Sequence, residues 1–385
     1  MPKNRPLTLM SLGHACVDVY QGAVAALVPF FVAERAWSYA AASGVVLAAS
    51  LLSSVVQPLF GALTDRWAMP WLLPLSALTA GAGVALSGVL GSYPLTLAAV
   101  AVSGVGVAAY HPEAARVARA VATGGNRGMG WFSLGGNVGF ALAPLLVAAV
   151  IATGGLDASP VLAAPAVVGA ALCAAAVRAS RAHPTLGPAV AHGGGDDWPS
   201  FLRLSGAVVC RSVVFVGLSA FVSLYVRERV GGGDVAGTAA LSVLYAGGAV
   251  GTVLGGRLAD RYGRLTVVRG AYALTVLAVA GVVLAPGPAV YLFVALTSAG
   301  LYVPFSLHVT LGQDYLPGRV GTASGVTLGL TVSVGGLAAP ALGALADATS
   351  LRTALLPLVV LPALGALLLR GLREPAPRER LVATR

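Results

Sequence analysis

The sequence predicts an all-α membrane protein, with about twelve transmembrane helices arranged as two six-helix halves. Three observations carry this reading. Apolar runs of ~20 residues fill the chain, long enough to cross a hydrocarbon core of ~30 Å. Only 10% of the residues are charged and 57% are hydrophobic, with a mean hydropathy of +0.85. A soluble domain carries ~25% charged residues, so this chain cannot cover itself with a water-facing surface. Finally, one short phrase occurs twice, about half a chain apart. The copies are Gly61-Ala62-Leu63-Thr64-Asp65-Arg66 and Gly256-Arg257-Leu258-Ala259-Asp260-Arg261, each where an apolar run meets charge.

The spans fall at about 8–33, 38–64, 70–91, 93–118, 127–153, 159–178, 201–227, 235–258, 265–286, 288–314, 320–346 and 350–371. The longest polar stretch, Arg178 to Ser200, contains His192-Gly193-Gly194-Gly195-Asp196-Asp197 and reads as a linker. The expected units are therefore a bundle over 1–178, a cytoplasmic linker over 179–200 and a bundle over 201–385 that ends in a polar tail from Arg373. The first run follows Lys3 and Arg5, as a signal peptide would. His14, Asp18 and Gln21 interrupt it, and it is too long for an h-region, so it reads as a retained span.

The formal net charge is +10, and its placement decides its meaning. With a cytoplasmic N-terminus, most arginines fall on the cytoplasmic side, and only Arg35, Arg227, Arg229 and Arg352 lie opposite. This asymmetry predicts that both termini are cytoplasmic. A basic tail without an aromatic stacking platform gives no support for nucleic-acid binding. Cys16, Cys173 and Cys210 all fall inside spans and read as buried thiols, with no disulfide or zinc framework implied.

The duplication extends beyond the opening phrase. Gly139 to Pro144 resembles Gly335 to Pro340, and Val32-Ala33-Glu34 resembles Val226-Arg227-Glu228. Two halves related by an axis along the membrane normal enclose a solvated cavity near the midplane and rock around it. Gly247, Gly251 and Gly255 recur every four residues on one face of the eighth span, as close helix packing requires.

The aspartate of the repeated phrase lies just past the cytoplasmic end of a helix. There it can accept from the N–H groups of a neighbouring helix N-terminus or pair with an arginine, latching that side. The phrase resembles the loop motif of the major facilitator superfamily. The second copy continues as Tyr262-Gly263-Arg264, while Trp67-Ala68-Met69-Pro70 departs from the motif in the first. The departures resemble the fosmidomycin resistance protein family. So do Ser54-Val55-Val56-Gln57-Pro58, Tyr110-His111-Pro112-Glu113-Ala114-Ala115-Arg116, Leu134-Gly135-Gly136-Asn137-Val138-Gly139, Leu316-Pro317-Gly318-Arg319-Val320-Gly321 and Ala346-Asp347. The resemblance covers nearly the whole chain. It implies a bacterial inner-membrane exporter driven by proton antiport, in a family associated with resistance to fosmidomycin, an anionic phosphonate, and to other toxic compounds.

Charge inside a span costs at least ~2.5–3.5 kcal/mol at the bilayer centre, so ionisable residues there mark the site. His14, Asp18 and Gln21 lie at i, i+4 and i+7 on one face of the first span, which should look into the cavity. Arg211, on the seventh span, sits at similar depth. It pairs with Asp18 across the cavity, or it holds an anionic group while Asp18 or His14 takes a proton. His111 and Glu113 flank Pro112, which removes a helical hydrogen bond, and Glu113 can reach Arg116. The expected proton-coupling set is Asp18, His14, Glu113 and His111; Glu113 also reads as a gate residue. The expected substrate contacts are Arg211, Gln21, Asn137, His308 and Phe215. Asp65, Arg66, Asp260, Arg261 and Arg116 are the expected gate. One histidine and one glutamate at the His111–Glu113 spacing are too few for a metal, and no metal or cofactor is expected.

The sole lysine is Lys3, so no Walker A loop exists. There is no His-Glu-x-x-His, and Trp131-Phe132-Ser133-Leu134-Gly135 lacks the first glycine of Gly-x-Ser-x-Gly. An enzyme is therefore not expected. The expected partners are a small-molecule substrate, protons and the lipid bilayer, with the chain acting as a monomer. Proton-coupled uptake of a small anionic metabolite is the alternative to export, and a non-transporting receptor is the remaining class.

Overall fold

The computed structural model describes residues 5–121, 126–180, 195–317 and 320–375. The first half comprises α1 (Arg5–Arg35), α2 (Tyr39–Arg66), α3 (Leu72–Val89), α4 (Tyr93–Val121), α5 (Asn126–Gly154), a 3₁₀ segment (Gly155–Ala163) and α6 (Ala164–Ser180). The second comprises α7 (Trp198–Val230), α8 (Gly233–Tyr262), α9 (Arg264–Leu284), α10 (Ala289–Tyr302), α11 (Phe305–Tyr315), α12 (Val320–Ala348), α13 (Leu351–Leu355) and α14 (Pro357–Arg370). A helical segment answers each of the expected spans. Most of the expected linker and the end of the tail lie outside the described residues.

Local chemistry sets the boundaries. The Ser38 hydroxyl accepts from Ala41 N at 3.2 Å to start α2, and the Asp197 carboxylate accepts from Ser200 N at 3.1 Å to start α7. Gly231, at φ 73°, ends α7 in the left-handed conformation that glycine adopts without a Cβ penalty. The tenth span is broken between α10 and α11 at Val303-Pro304, where proline supplies no N–H to the helical ladder. The twelfth is interrupted at Leu356, just before Pro357.

The packing of the two halves repeats. In the first, α1 packs on α5 and α2 on α4; in the second, α7 packs on α12 and α8 on α10. Across the halves, α2 lies on α12, α5 on α8 and α1 on α7. Small residues permit these approaches. A side chain at Gly139 would overlap the Ala15 carbonyl of α1, and one at Gly255 would overlap the Val303 carbonyl at the break in the tenth span. Gly247 and Gly251 sit against Ser298 and Tyr302 of α10, so the glycine row of α8 is a packing face.

The outer surface carries large apolar side chains, among them Leu202, Val235, Leu277, Leu292 and Val360. Such a surface matches hydrocarbon rather than water, and helices suit it because they pair most of their backbone polar groups internally. The membrane-embedded bundle has two ends. Arg5, Ser180, Trp198 and Arg370 mark the terminal end; the α1–α2 and α7–α8 turns mark the far end. Arg35, Arg227, Arg229 and Arg352 all sit at the far end, as the charge pattern predicts.

Candidate functional site

Helix pitch places His14 and Asp18 one above the other on α1. The glycines of α5 let that helix close on them: Gly136 lies against Asp18 Oδ2 and the His14 ring, with no room for a side chain. The approach also brings the Phe132 carbonyl to 2.9 Å from His14 Nδ1, with the Phe132 and His14 rings stacked at 4.2 Å. From α4, His111 reaches the same carboxylate. His14 Nε2 lies 3.2 Å from Asp18 Oδ2, and His111 Nε2 lies 3.2 Å from Asp18 Oδ1. His111 Nδ1 meets the carbonyl of Val107, one turn back on its own helix, at 2.7 Å.

These partners fix the tautomers. A carbonyl oxygen only accepts, so each Nδ1 carries a proton and donates it. In a neutral ring Nε2 is then a bare acceptor facing a carboxylate oxygen, which is also an acceptor. A proton placed between them makes each contact attractive. The cluster thus offers two proton positions on one carboxylate. The same three residues bring histidine nitrogens and carboxylate oxygens within 4.8 Å of one another.

This cluster lines a cavity of about 310 Å³ between the halves, together with Gln21, Gln57, Ser133 and Asn137 of the first half. Arg211, Phe215, Thr252, Tyr302 and Phe305 line it from the second. One Arg211 Nη donates to the Leu301 carbonyl at 3.1 Å, and the guanidinium lies 5.3 Å over the Phe305 ring. A smaller chamber of about 80 Å³ adjoins on the far side and shares Gln21, Val107, Phe140 and Phe215 with the first. Its remaining walls include Val24, Ala25, Val46, Ala49, Val216 and Tyr245.

Several expectations need correction. Asp18 meets His14 and His111, and no Asp18–Arg211 ion pair occurs among the described residues. His308 does not line the cavity; it is buried against Tyr272, with ring centroids 5.8 Å apart. Phe305 and Ser306 of α11 face the cavity, while His308 packs toward Tyr272 of α9. Glu113 is fully buried, outside both chambers, and binds Arg116 through both oxygens at 2.5 and 2.8 Å. Asp260 and Arg261 are exposed, with the Arg261 guanidinium 5.2 Å from the Tyr262 ring. The side chains of Asp65 and Arg66 lie outside the described residues.

Sequence reasoning missed a latch at the far end. The Asp347 carboxylate of α12 accepts from Tyr39 N at 2.8 Å and Ala40 N at 2.9 Å, at the start of α2. The Tyr39 hydroxyl donates to Glu228 of α7 at 2.8 Å. A carboxylate capping a helix N-terminus across the halves is the device expected of the repeated loop phrase, here found at the opposite end. Ser38 is the one local signal, since it marks where the capped helix begins.

Known proteins place this architecture. A family model described as Major Facilitator Superfamily matches residues 10–340. The fosmidomycin resistance protein of Escherichia coli (strain K12) is 29% identical over 385 residues, which cover 94% of this chain and 91% of that protein. An uncharacterized MFS-type transporter, YfnC of Bacillus subtilis (strain 168), is also 29% identical, with the same coverage. Among solved structures, a bacterial homolog of the human lysosomal transporter Spinster, in an inward-facing and occupied conformation, superposes with a TM-score of 0.77 at 16% identity, covering 94% of this chain and 95% of that one. Two packed six-helix halves with a cavity between them, and a matched model spanning most of the chain, lead to one conclusion: the chain belongs to the Major Facilitator Superfamily, and is a membrane-embedded secondary transporter that moves small molecules by alternating access rather than an enzyme.

Proposed function

We propose that the chain exports small toxic molecules with an anionic end, of the fosmidomycin kind, across a bacterial inner membrane in exchange for protons. One observation carries the reading: the Asp18 cluster and Arg211 face a single cavity from opposite halves. Arg211 receives the anionic end of the substrate. A donor group on the substrate, N–H or O–H, takes the place of a shared proton at Asp18. Protons and substrate then compete for one carboxylate, and that competition is what exchange requires. Similarity to the fosmidomycin resistance protein of Escherichia coli supports the direction and the substrate class. The reading places both termini in the cytoplasm, has residues 1–178 and 201–385 move against each other as a monomer, and keeps 179–200 as the linker.

In inside-out vesicles, acidifying the lumen drives fosmidomycin accumulation, and a protonophore collapses it. Asp18→Asn reduces that accumulation to background. Accumulation indifferent to the pH gradient, or undiminished in Asp18→Asn, overturns the proposal.

A second reading draws support from charge. A doubly protonated cluster carries a net positive charge and faces cationic Arg211, so it attracts an anion together with its protons. That arrangement favours proton-coupled uptake of a small anionic metabolite. Accumulation in right-side-out vesicles, driven by an acidic exterior, distinguishes it.

A further inference from the structure

On three of the helices that line the pathway, α1, α2 and α7, the lining passes from charged or amide side chains to mainly apolar ones on the far side. On α1, which runs from the terminal end to the far end, the lining passes from Asp18 to Ala25. On α2, which runs back, it passes from Gln57 at the terminal side to Ala49 at the far side. On α7 it passes from Arg211 to Val216. Helices of opposite direction agree, so the gradient belongs to the cavity and not to any one segment. Beyond the level of Phe215 the chamber walls are mainly apolar, with Ser50, Ser103 and Ser219 set among them. Within it the Ser103 hydroxyl, 1% exposed, has no hydrogen-bond partner among the described residues.

We infer that the substrates carry, besides the charged end, a compact apolar group that seats in the far chamber. The inference rests on the proposal that Arg211 receives an anionic end, because that contact sets which way round the molecule lies. The anionic end sits with Arg211, a donor group meets Asp18, and the apolar group points toward the Tyr39–Asp347 latch. Size is the selective feature. The chamber holds about 80 Å³, less than the ~150 Å³ cavity that accommodates a benzene ring. A short alkyl group fits it and a long chain does not. Removing such a group from water favours binding by about three- to fourfold per methylene.

The test is the affinity of methyl-, propyl-, butyl- and hexylphosphonate for the purified full chain, by titration calorimetry. Affinity is expected to climb about three- to fourfold per methylene up to butyl and to stop climbing by hexyl. Ala25→Leu fills the chamber and is expected to flatten the series while leaving methylphosphonate within about twofold of the parent. Val216→Phe fills it from the other half and serves if Ala25→Leu does not fold. A flat series in the parent chain overturns the inference, as does a series that stays equally steep in the filled variants. Methylphosphonate binding that is lost in Arg211→Ala upholds the charge reading separately, so a flat series then removes only the apolar subsite. Failure of every phosphonate to bind overturns both.

Discussion

Asp347 caps the helix that begins at Tyr39, with its two carboxylate oxygens 2.8 Å from Tyr39 N and 2.9 Å from Ala40 N. The residues lie 308 positions apart and belong to opposite halves. Exposed N–H groups at a helix N-terminus favour an anion, and here the anion comes from across the transport pathway. The halves cannot separate at that end without uncapping α2.

Asp347→Ala therefore shifts the protein toward opening at the far end. Loss of a capping carboxylate costs about 1 kcal/mol, which corresponds to about a fivefold change in the balance of states. Labelling of a cysteine placed at Ala25, from the far side and in a background lacking Cys16, Cys173 and Cys210, should accelerate accordingly. Unchanged labelling assigns the contact no gating role.

Tyr39→Phe removes only the hydrogen bond to Glu228. The expected cost is about 0.5–1.5 kcal/mol, read by the same labelling. Glu228→Gln keeps an acceptor and changes less. A Tyr39→Phe, Glu228→Ala double variant should lose no more than the larger single effect, because one bond joins the pair. Additive losses contradict this.

His14→Gln and His111→Gln each leave one proton position on Asp18. Each single variant should move fewer protons per substrate than the parent, and the double variant should lose coupling. Reversal potentials in proteoliposomes at several pH gradients give the ratio. A parental ratio in either single variant removes that histidine from the proton path.

Arg211→Ala should weaken anionic compounds selectively, with Arg211→Lys retaining more, since a point charge persists without the planar fork. Competition by matched anionic and neutral analogues measures the selectivity. Equal loss for both assigns Arg211 to packing.

Gly139→Ala puts a methyl group into the Ala15 carbonyl of α1 and should destabilise by about 1–3 kcal/mol. Because α5 also carries Phe132, the His14 anchor shifts and transport slows. Gly61→Ala, where a methyl meets nothing within 4 Å, is the control. Thermal unfolding in detergent separates the two; a Gly139→Ala midpoint equal to the parent contradicts the close approach.

The bundle was legible because hydropathy reports burial in lipid directly, and because the repeat exposes the pairing of halves. His14, Asp18 and Gln21 were legible as one face because helical spacing is local. His111 as a partner of Asp18 was not assembled from the sequence: the meeting depends on how near α4 comes to α1. Of the two alternatives for Arg211, the ion pair with Asp18 does not form, since similar depth does not bring two walls together. His308 misled because a polar residue late in a span does not say which neighbour the helix turns it toward, and it packs on Tyr272 of α9. The Tyr39–Asp347 latch joins residues from the two ends of the chain, and neither carries a signal of its partner.

The arginine in the cavity does a second job at that break. Its partner, the Leu301 carbonyl, belongs to the last turn before the tenth span loses its helical ladder. Arg211 is thus a tether across an elbow. An anion bound as proposed would draw the guanidinium into the cavity and slacken the tether, joining cargo loading to the bend of that span in one mechanical event.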